Sequence, residues 1–167
     1  MIQVYTGNGK GKTTAGMGLA LRAAGAGLKV FICQFAKPGD SSELNLLKKI
    51  KNIKVECFGS KGFITRSPCS EDIHLAKKGL SKIYKIIQEK SYDVLILDEI
   101  NVALDIGLLE LKDVIHMIKN TPPEIELILT GRNAPKQILK IADLVSEIKD
   151  RKHYYKKGVK ARRGIEF

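Results

Sequence analysis

The sequence predicts an α/β domain of three layers, αβα, with a mostly parallel central sheet, and three observations predict it. Apolar runs of strand length alternate with helical runs along the whole chain, the pattern of repeated βα units. The run "YDVLILDE" at 92–99 is almost continuously apolar and closes on two acids, as a strand buried on both faces of a parallel sheet would. The first run, "MIQVYTG", ends in a glycine-rich loop that opens directly into an Ala- and Leu-rich stretch. A length of 167 residues suits one core, so 1–167 is expected to form a single domain.

Each element follows from its residues. Val, Ile and Tyr in "MIQVYTG" make a short buried strand. "TTAGMGLALRAAGAG" is a helix stopped by its glycines, and "KVFICQFA" is the second strand. "KPGDSS" is a turn in which Asp40, Ser41 or Ser42 can cap the helix "SELNLLKKIK". "IKVECFG" is the third strand, and "SKGFITRSPCS" is a loop by its Gly, Pro and Ser content. From 71 to 90, Ile73, Leu80, Ile83 and Ile87 recur at helical spacing. After the strand at 92–99, "NVALDIGLLELKDVIHMIKN" reads as two helices broken near Gly107. "PPEIELILTGR" is a further strand, "NAPKQILKIA" a short helix, and "ADLVSEIKD" leads to a last strand.

Composition narrows the function. With 44% hydrophobic and 28% charged residues, a soluble globular fold is expected. No apolar run reaches the ~18 residues that span a bilayer. No basic-then-apolar leader precedes "IQVYTG", so a cytoplasmic location without a membrane partner is expected. Cys33, Cys57 and Cys69 are odd in number and form no C-x-x-C pair, which argues against a disulfide framework or a zinc site. The net charge of +11 suits anionic ligands. The lysines are dispersed, except in the tail "KDRKHYYKKGVKARRG", and no nucleic-acid motif accompanies them, so nucleic acid is not an expected partner.

The loop carries the chemistry. A phosphate loop has Gly, four residues, then Gly-Lys-Ser/Thr. Here Gly7 precedes Gly11-Lys12-Thr13 with only three residues between, and Thr6 stands where the glycine is usual. The context still fits, with a strand before and a helix after. Gly7, Gly9 and Gly11 let the backbone turn its N–H groups inward as an anion nest, to which the helix dipole adds. Lys12 is expected to meet the phosphates, Lys10 to add a second cation, and Thr14 another hydroxyl. Thr13 is expected to offer its hydroxyl to Mg²⁺. "DVLILDE" has the form of a Walker B strand, so Asp98 or Glu99 is expected at the metal, with Glu99 nearer and Asp98 in support. Arg132, in "LTGR" at the end of another strand, is a candidate phosphate clamp. The residues so far specify a P-loop nucleotide-binding enzyme. No arginine-rich lid marks it as a kinase and no N-K-x-D motif as a GTPase.

Nearly end to end the chain resembles the P-loop-type ATP:corrinoid adenosyltransferases of cobalamin biosynthesis and salvage. The resemblance is carried by "TGNGKGKTTAG" at 6–16, "ALRAAGAGLKVFICQFAKPG" at 20–39, "LDEINVALDIGLL" at 97–109, "LTGRNAP" at 129–135 and "GVKARRGIEF" at 158–167. It implies a RecA-like P-loop NTPase fold and a transferase whose co-substrate is ATP. Co(I) of a cobalamin or incomplete corrinoid attacks the 5′ carbon of ATP, and triphosphate leaves. It further implies that ATP lies reversed, with the α-phosphate where a γ-phosphate normally sits. By the same resemblance, Gly7, Asn8, Gly9, Lys10, Gly11, Lys12, Thr13 and Thr14 form the triphosphate loop. Glu99 is the acid near Mg²⁺ (or Mn²⁺), and Arg22 and Arg132 lie near the nucleotide. Phe63 faces the corrin ring and displaces a lower axial ligand from cobalt. A homodimer and a flavoprotein reductant are implied partners. Two departures stand out. Some members carry a tryptophan where this chain has Thr65. This chain also begins at its first strand, whereas some members cover the active site with an N-terminal extension. The competing reading is a generic P-loop ATPase or kinase.

Overall fold

The computed structural model describes residues 1–37, 39, 41–60 and 67–166. Among the described residues six strands form one sheet: β1 (Ile2–Thr6), β2 (Val30–Phe35), β3 (Ile53–Phe58), β4 (Val94–Asp98), β5 (Glu126–Thr130) and β6 (Leu144–Glu147). Their order is β3-β2-β4-β5-β1-β6, and every neighbouring pair is parallel. The reason lies in composition. All six residues of β2 and all five of β4 are buried, because helices cover both faces of these inner strands. β6 is the opposite case: a four-residue edge strand, exposed at every position and carrying Ser146 and Glu147, paired among the described residues with β1 alone.

The helices are α1 (Lys12–Gly25), α2 (Ser42–Leu47), α3 (Ser70–Glu89), α4 (Ile100–Asp105), α5 (Leu111–Lys119) and α6 (Lys136–Ile141). Alternation along each strand divides the core in two. Phe31, Cys33, Leu95, Leu97 and Leu129 point to one face, where they meet Leu80 and Ile83 of α3 and Val114 and Met117 of α5. Val30, Ile32, Ile96 and Ile128 point to the other, against Met17 and Ala20 of α1 and Leu44 and Leu47 of α2. Gly16 brings α1 down onto the sheet: a Cβ there would touch Thr130 Cγ2 at 3.4 Å and Ile96 Cγ2 at 3.5 Å. Each fully buried aliphatic side chain contributes about 1.5–3 kcal/mol by leaving water, so these two layers hold the sheet rigid beneath its carboxyl ends.

Two differences from the sequence reading have local causes. The helix expected over 42–51 stops at Leu47. Residues 48–52 must turn the chain into β3, with Ile53 N–H donating to Ile50 O at 3.0 Å. Ser41 holds the N-cap position of α2 without a side-chain hydrogen bond, and Asp40 lies outside the described residues. A 3₁₀ turn at Tyr154–Lys157, inside the basic tail, was not anticipated. The break between α4 and α5 does fall at Gly107, whose φ of 77° suits glycine. None of the described helices is long and apolar enough to cross a membrane.

Candidate active site

The carboxyl ends of β1, β2, β4 and β5 converge on one rim, where parallel sheets collect ligands. From β1 comes the glycine loop. Gly7 and Gly11 have φ of 97° and 121°, a conformation that side chains resist. Gly7 and Gly9 are also short of space. A Cβ at Gly7 would lie 2.5 Å from Ile148 O, and one at Gly9 2.8 Å from the same oxygen. Gly9 N–H donates to Ile148 O at 2.7 Å, and Ile148 N–H to Thr6 O at 2.8 Å. The shortened loop is therefore backed by the chain leaving β6, and its early glycines are where that wall touches it. The N–H groups of Lys12, Thr13 and Thr14 form the first turn of α1, where a helix has no carbonyl to offer them. They and the helix dipole make an anion site.

Lys12 is only 7% exposed, and its ammonium donates to Gly9 O at 2.7 Å. Burial, and then the charge of Arg132, push it below the ordinary lysine value. Arg132 itself is exposed on the turn after β5. Asn8 and Thr14 are exposed at the loop, and Thr13 is half-buried. Arg22 is exposed in the last turn of α1, ten residues and so about 15 Å along the helix axis from Lys12.

At the end of β4 the two acids are held differently. Asp98 is fully buried. Its Oδ1 accepts from Thr130 Oγ1 at 2.6 Å and its Oδ2 from Gln34 Nε2 at 2.9 Å. Glu99 adopts the left-handed region (φ 60°, ψ 21°) and is partly exposed. Its N–H donates to the same Thr130 hydroxyl at 3.0 Å. Thr130 thus couples both acids, and the unusual backbone at Glu99 is the kind of local cost, about 1–3 kcal/mol, that functional sites retain.

The residue between loop and acids is one that the sequence reading missed. Lys37 follows β2, and its ammonium lies 3.2 Å from Thr13 Oγ1, 2.9 Å from Glu99 Oε1 and 3.6 Å from Asp98 Oδ2. Burial works against its charge, but Asp98 and Glu99 outweigh that and raise its affinity for the proton. Asn101, in α4, was missed as well. It is fully buried, and neither polar atom of its side chain has a hydrogen-bond partner among the described residues. Such a group in a native fold calls for a ligand or water. A lysine just past a central strand, and a polar residue two positions after "DE", were the available signals.

Lys10, expected to serve the phosphates, is engaged by the C-terminal segment. Its ammonium donates to Tyr154 Oη (3.0 Å), Ile165 O (2.8 Å) and Glu166 Oε1 (3.0 Å). Arg162, and then Tyr154, hold the Glu166 carboxyl far below the usual carboxylate range. Phe63 and Thr65 lie outside the described residues.

The arrangement joins an anion nest and a buried lysine to three oxygens, Thr13 Oγ1, Asp98 Oδ2 and Glu99 Oε1, that already share one cation. Hard oxygen donors with one or two carboxylates suit Mg²⁺ or Mn²⁺ bound together with phosphate. The sequence pattern of the family described as "ATP:corrinoid adenosyltransferase BtuR/CobO/CobP" matches residues 1–167. The chain is similar to a corrinoid adenosyltransferase of Sinorhizobium sp, 33% identical over 171 residues that cover 100% of this chain and 80% of that protein. It is similar to a corrinoid adenosyltransferase of Escherichia coli (strain K12), 35% identical over 169 residues, 100% of this chain and 85% of that protein. The corrinoid adenosyltransferase CobA of Salmonella typhimurium is also 35% identical, with the same coverage.

Proposed function

The chain belongs to the ATP:corrinoid adenosyltransferase family, and from that premise we propose the reaction in terms of its own residues. The enzyme transfers the 5′-deoxyadenosyl group of ATP to the Co(I) centre of a corrinoid, in the formation of adenosylcobalamin. The electron pair on cobalt attacks C5′. The C5′–O5′ bond breaks, its pair stays on the oxygen of the α-phosphate, and triphosphate leaves. A generic ATPase or kinase would instead cleave a phosphoanhydride, and the full-length family match does not favour that alternative.

The observation that carries the reading is the meeting of the glycine loop with Glu99 and Asp98 on one rim of a chain that matches this family along its whole length. Negative charge grows on the α-phosphate oxygen, so that end of ATP belongs beneath the strongest donors. Those are the N–H groups of Lys12, Thr13 and Thr14 and the Lys12 ammonium. Lys12 rests on Gly9 O, a neutral partner that an anion would outcompete. Arg132, close enough to depress Lys12, is proposed to clamp the phosphates from the β5 side. Arg22, Asn8 and Lys10 are proposed as outer contacts. Thr13 and Glu99 would hold the divalent cation, with Asp98 behind them. When bound, that ion neutralises charge across the triphosphate. Phe63 is proposed to face the corrin ring and keep a lower ligand off cobalt. A homodimer, a flavoprotein electron donor and a cytoplasmic location belong to the same proposal and rest on the family.

The test is product analysis. Protein, ATP, Mg²⁺ and chemically reduced cobalamin should give an alkylated corrinoid and inorganic triphosphate. ADP or orthophosphate with unalkylated corrinoid would reject the assignment.

A further inference from the structure

Thr13, Asp98 and Glu99 come from two elements, the start of α1 and the end of β4, yet all three reach the ammonium of Lys37. We infer that Lys37 competes with the divalent cation for these three oxygens and makes entry of that cation depend on the nucleotide. The inference rests on the cation site proposed above and adds what governs its occupancy.

The placement is built into the chain. Ala36 takes a φ of 54°, turning the backbone sharply as β2 ends. Gly59, at the end of β3, backs the same peptide: a Cβ there would lie 2.2 Å from Lys37 O and 2.5 Å from Lys37 N. The Lys37 side chain is 24% exposed while Asp98 beside it is 0% exposed, so this is no solvated surface pair. Among the described residues, Lys37 alone forms ion pairs with Asp98 and Glu99. Gln34 and Thr130, which also bind Asp98, are neutral.

The consequence follows from charge. Two carboxylates and one ammonium leave the cluster with a single net negative charge. A free divalent ion must expel the ammonium from Asp98 and Glu99 together, and Glu43, the next acid to act on it, holds its charge more weakly than either. A nucleotide-bound ion arrives with phosphates that take up the displaced ammonium. Lys37 therefore exchanges carboxylate oxygens for phosphate oxygens as the metal takes its place. It is a positioning residue that keeps Thr13, Asp98 and Glu99 assembled until that exchange.

The test uses Mn²⁺ alone, without ATP or corrinoid, followed by the EPR signal of the free ion. Wild-type protein should bind it weakly. Lys37→Met, which keeps the apolar stem and removes the charge, should bind it at least about tenfold more tightly. The gained site should disappear in Lys37→Met/Glu99→Gln. Equal affinity in wild type and Lys37→Met, or a gained site that survives Glu99→Gln, overturns the inference. Melting supplies a second readout: Mn²⁺ should raise the melting temperature of Lys37→Met and leave wild type unmoved, and equal shifts overturn it. Neither measurement involves adenosyl transfer, so either proposal can fail while the other stands.

Discussion

Replacing Thr130 by valine removes one hydroxyl and keeps the shape, which isolates the coupling between the two acids. Thr130 is fully buried at the end of β5. Its hydroxyl donates to Asp98 Oδ1 at 2.6 Å and accepts from Glu99 N–H at 3.0 Å. A hydrogen bond to a charged group is worth about 1.5–3 kcal/mol, and a neutral one about 0.5–1.5 kcal/mol. Losing both should lower stability by roughly 3 kcal/mol. For a chain of this size each kcal/mol moves the melting temperature by about 2–4 °C, so the expected fall is roughly 6–12 °C. Turnover should fall as well, because Glu99 loses the anchor of its left-handed backbone. Thr130→Ser keeps the hydroxyl and should recover most of both losses. Thermal melting of the three proteins, with initial rates of corrinoid alkylation, makes the comparison. A valine variant that melts within about 2 °C of wild type at unchanged turnover would refute the coupling.

Other changes test other parts of the rim. Lys12→Ala should cost about 3 kcal/mol of transition-state stabilisation, read from kcat/KM, if its ammonium meets the charge on the α-phosphate; unchanged turnover would move that role elsewhere. Phe63→Ala should lose more activity with Co(II) substrate plus a reductant than with pre-formed Co(I), and equal losses would contradict axial-ligand displacement. Gly59→Ala forces a methyl against the Lys37 peptide and should destabilise by about 1–3 kcal/mol in denaturant titration, an overpacking cost that wild-type stability would disprove. The proton on Lys37 is held more tightly than its ordinary value of 10.5. Its stabilising share is therefore whole below that pH and is lost as pH rises through the raised value. Lys37→Met should flatten the alkaline loss of stability, and an unchanged pH profile would argue against the ion pairs.

What could be read from the sequence was what lies close together along it. The uninterrupted burial of β2 and β4 appears as unbroken apolar runs, and the loop with the start of α1 is a single contiguous motif. The partners that explain those parts come from elsewhere. Ile148 backs Gly7 and Gly9 only because β6 pairs with β1, a neighbour relation no local pattern encodes. Lys37 meets Thr13 across 24 residues, and the Asp98 and Glu99 carboxylates from farther still, because β2 and β4 are adjacent. The basic tail read as a charge patch. Its link to the loop, Lys10 to Glu166 across 156 residues, depends on a 3₁₀ turn that composition does not announce. Family resemblance supplied the reaction, since a phosphate nest and two acids serve many chemistries.

The most direct test of the central claim follows the carbon that is to move. ATP labelled with ¹³C at C5′ is incubated with the protein, Mg²⁺ and a Co(I) corrinoid, and the products are examined by NMR. The label should appear in a cobalt-bound methylene, with one inorganic triphosphate released for each corrinoid alkylated. Label retained in ADP or another nucleotide, with the corrinoid unchanged, would contradict it.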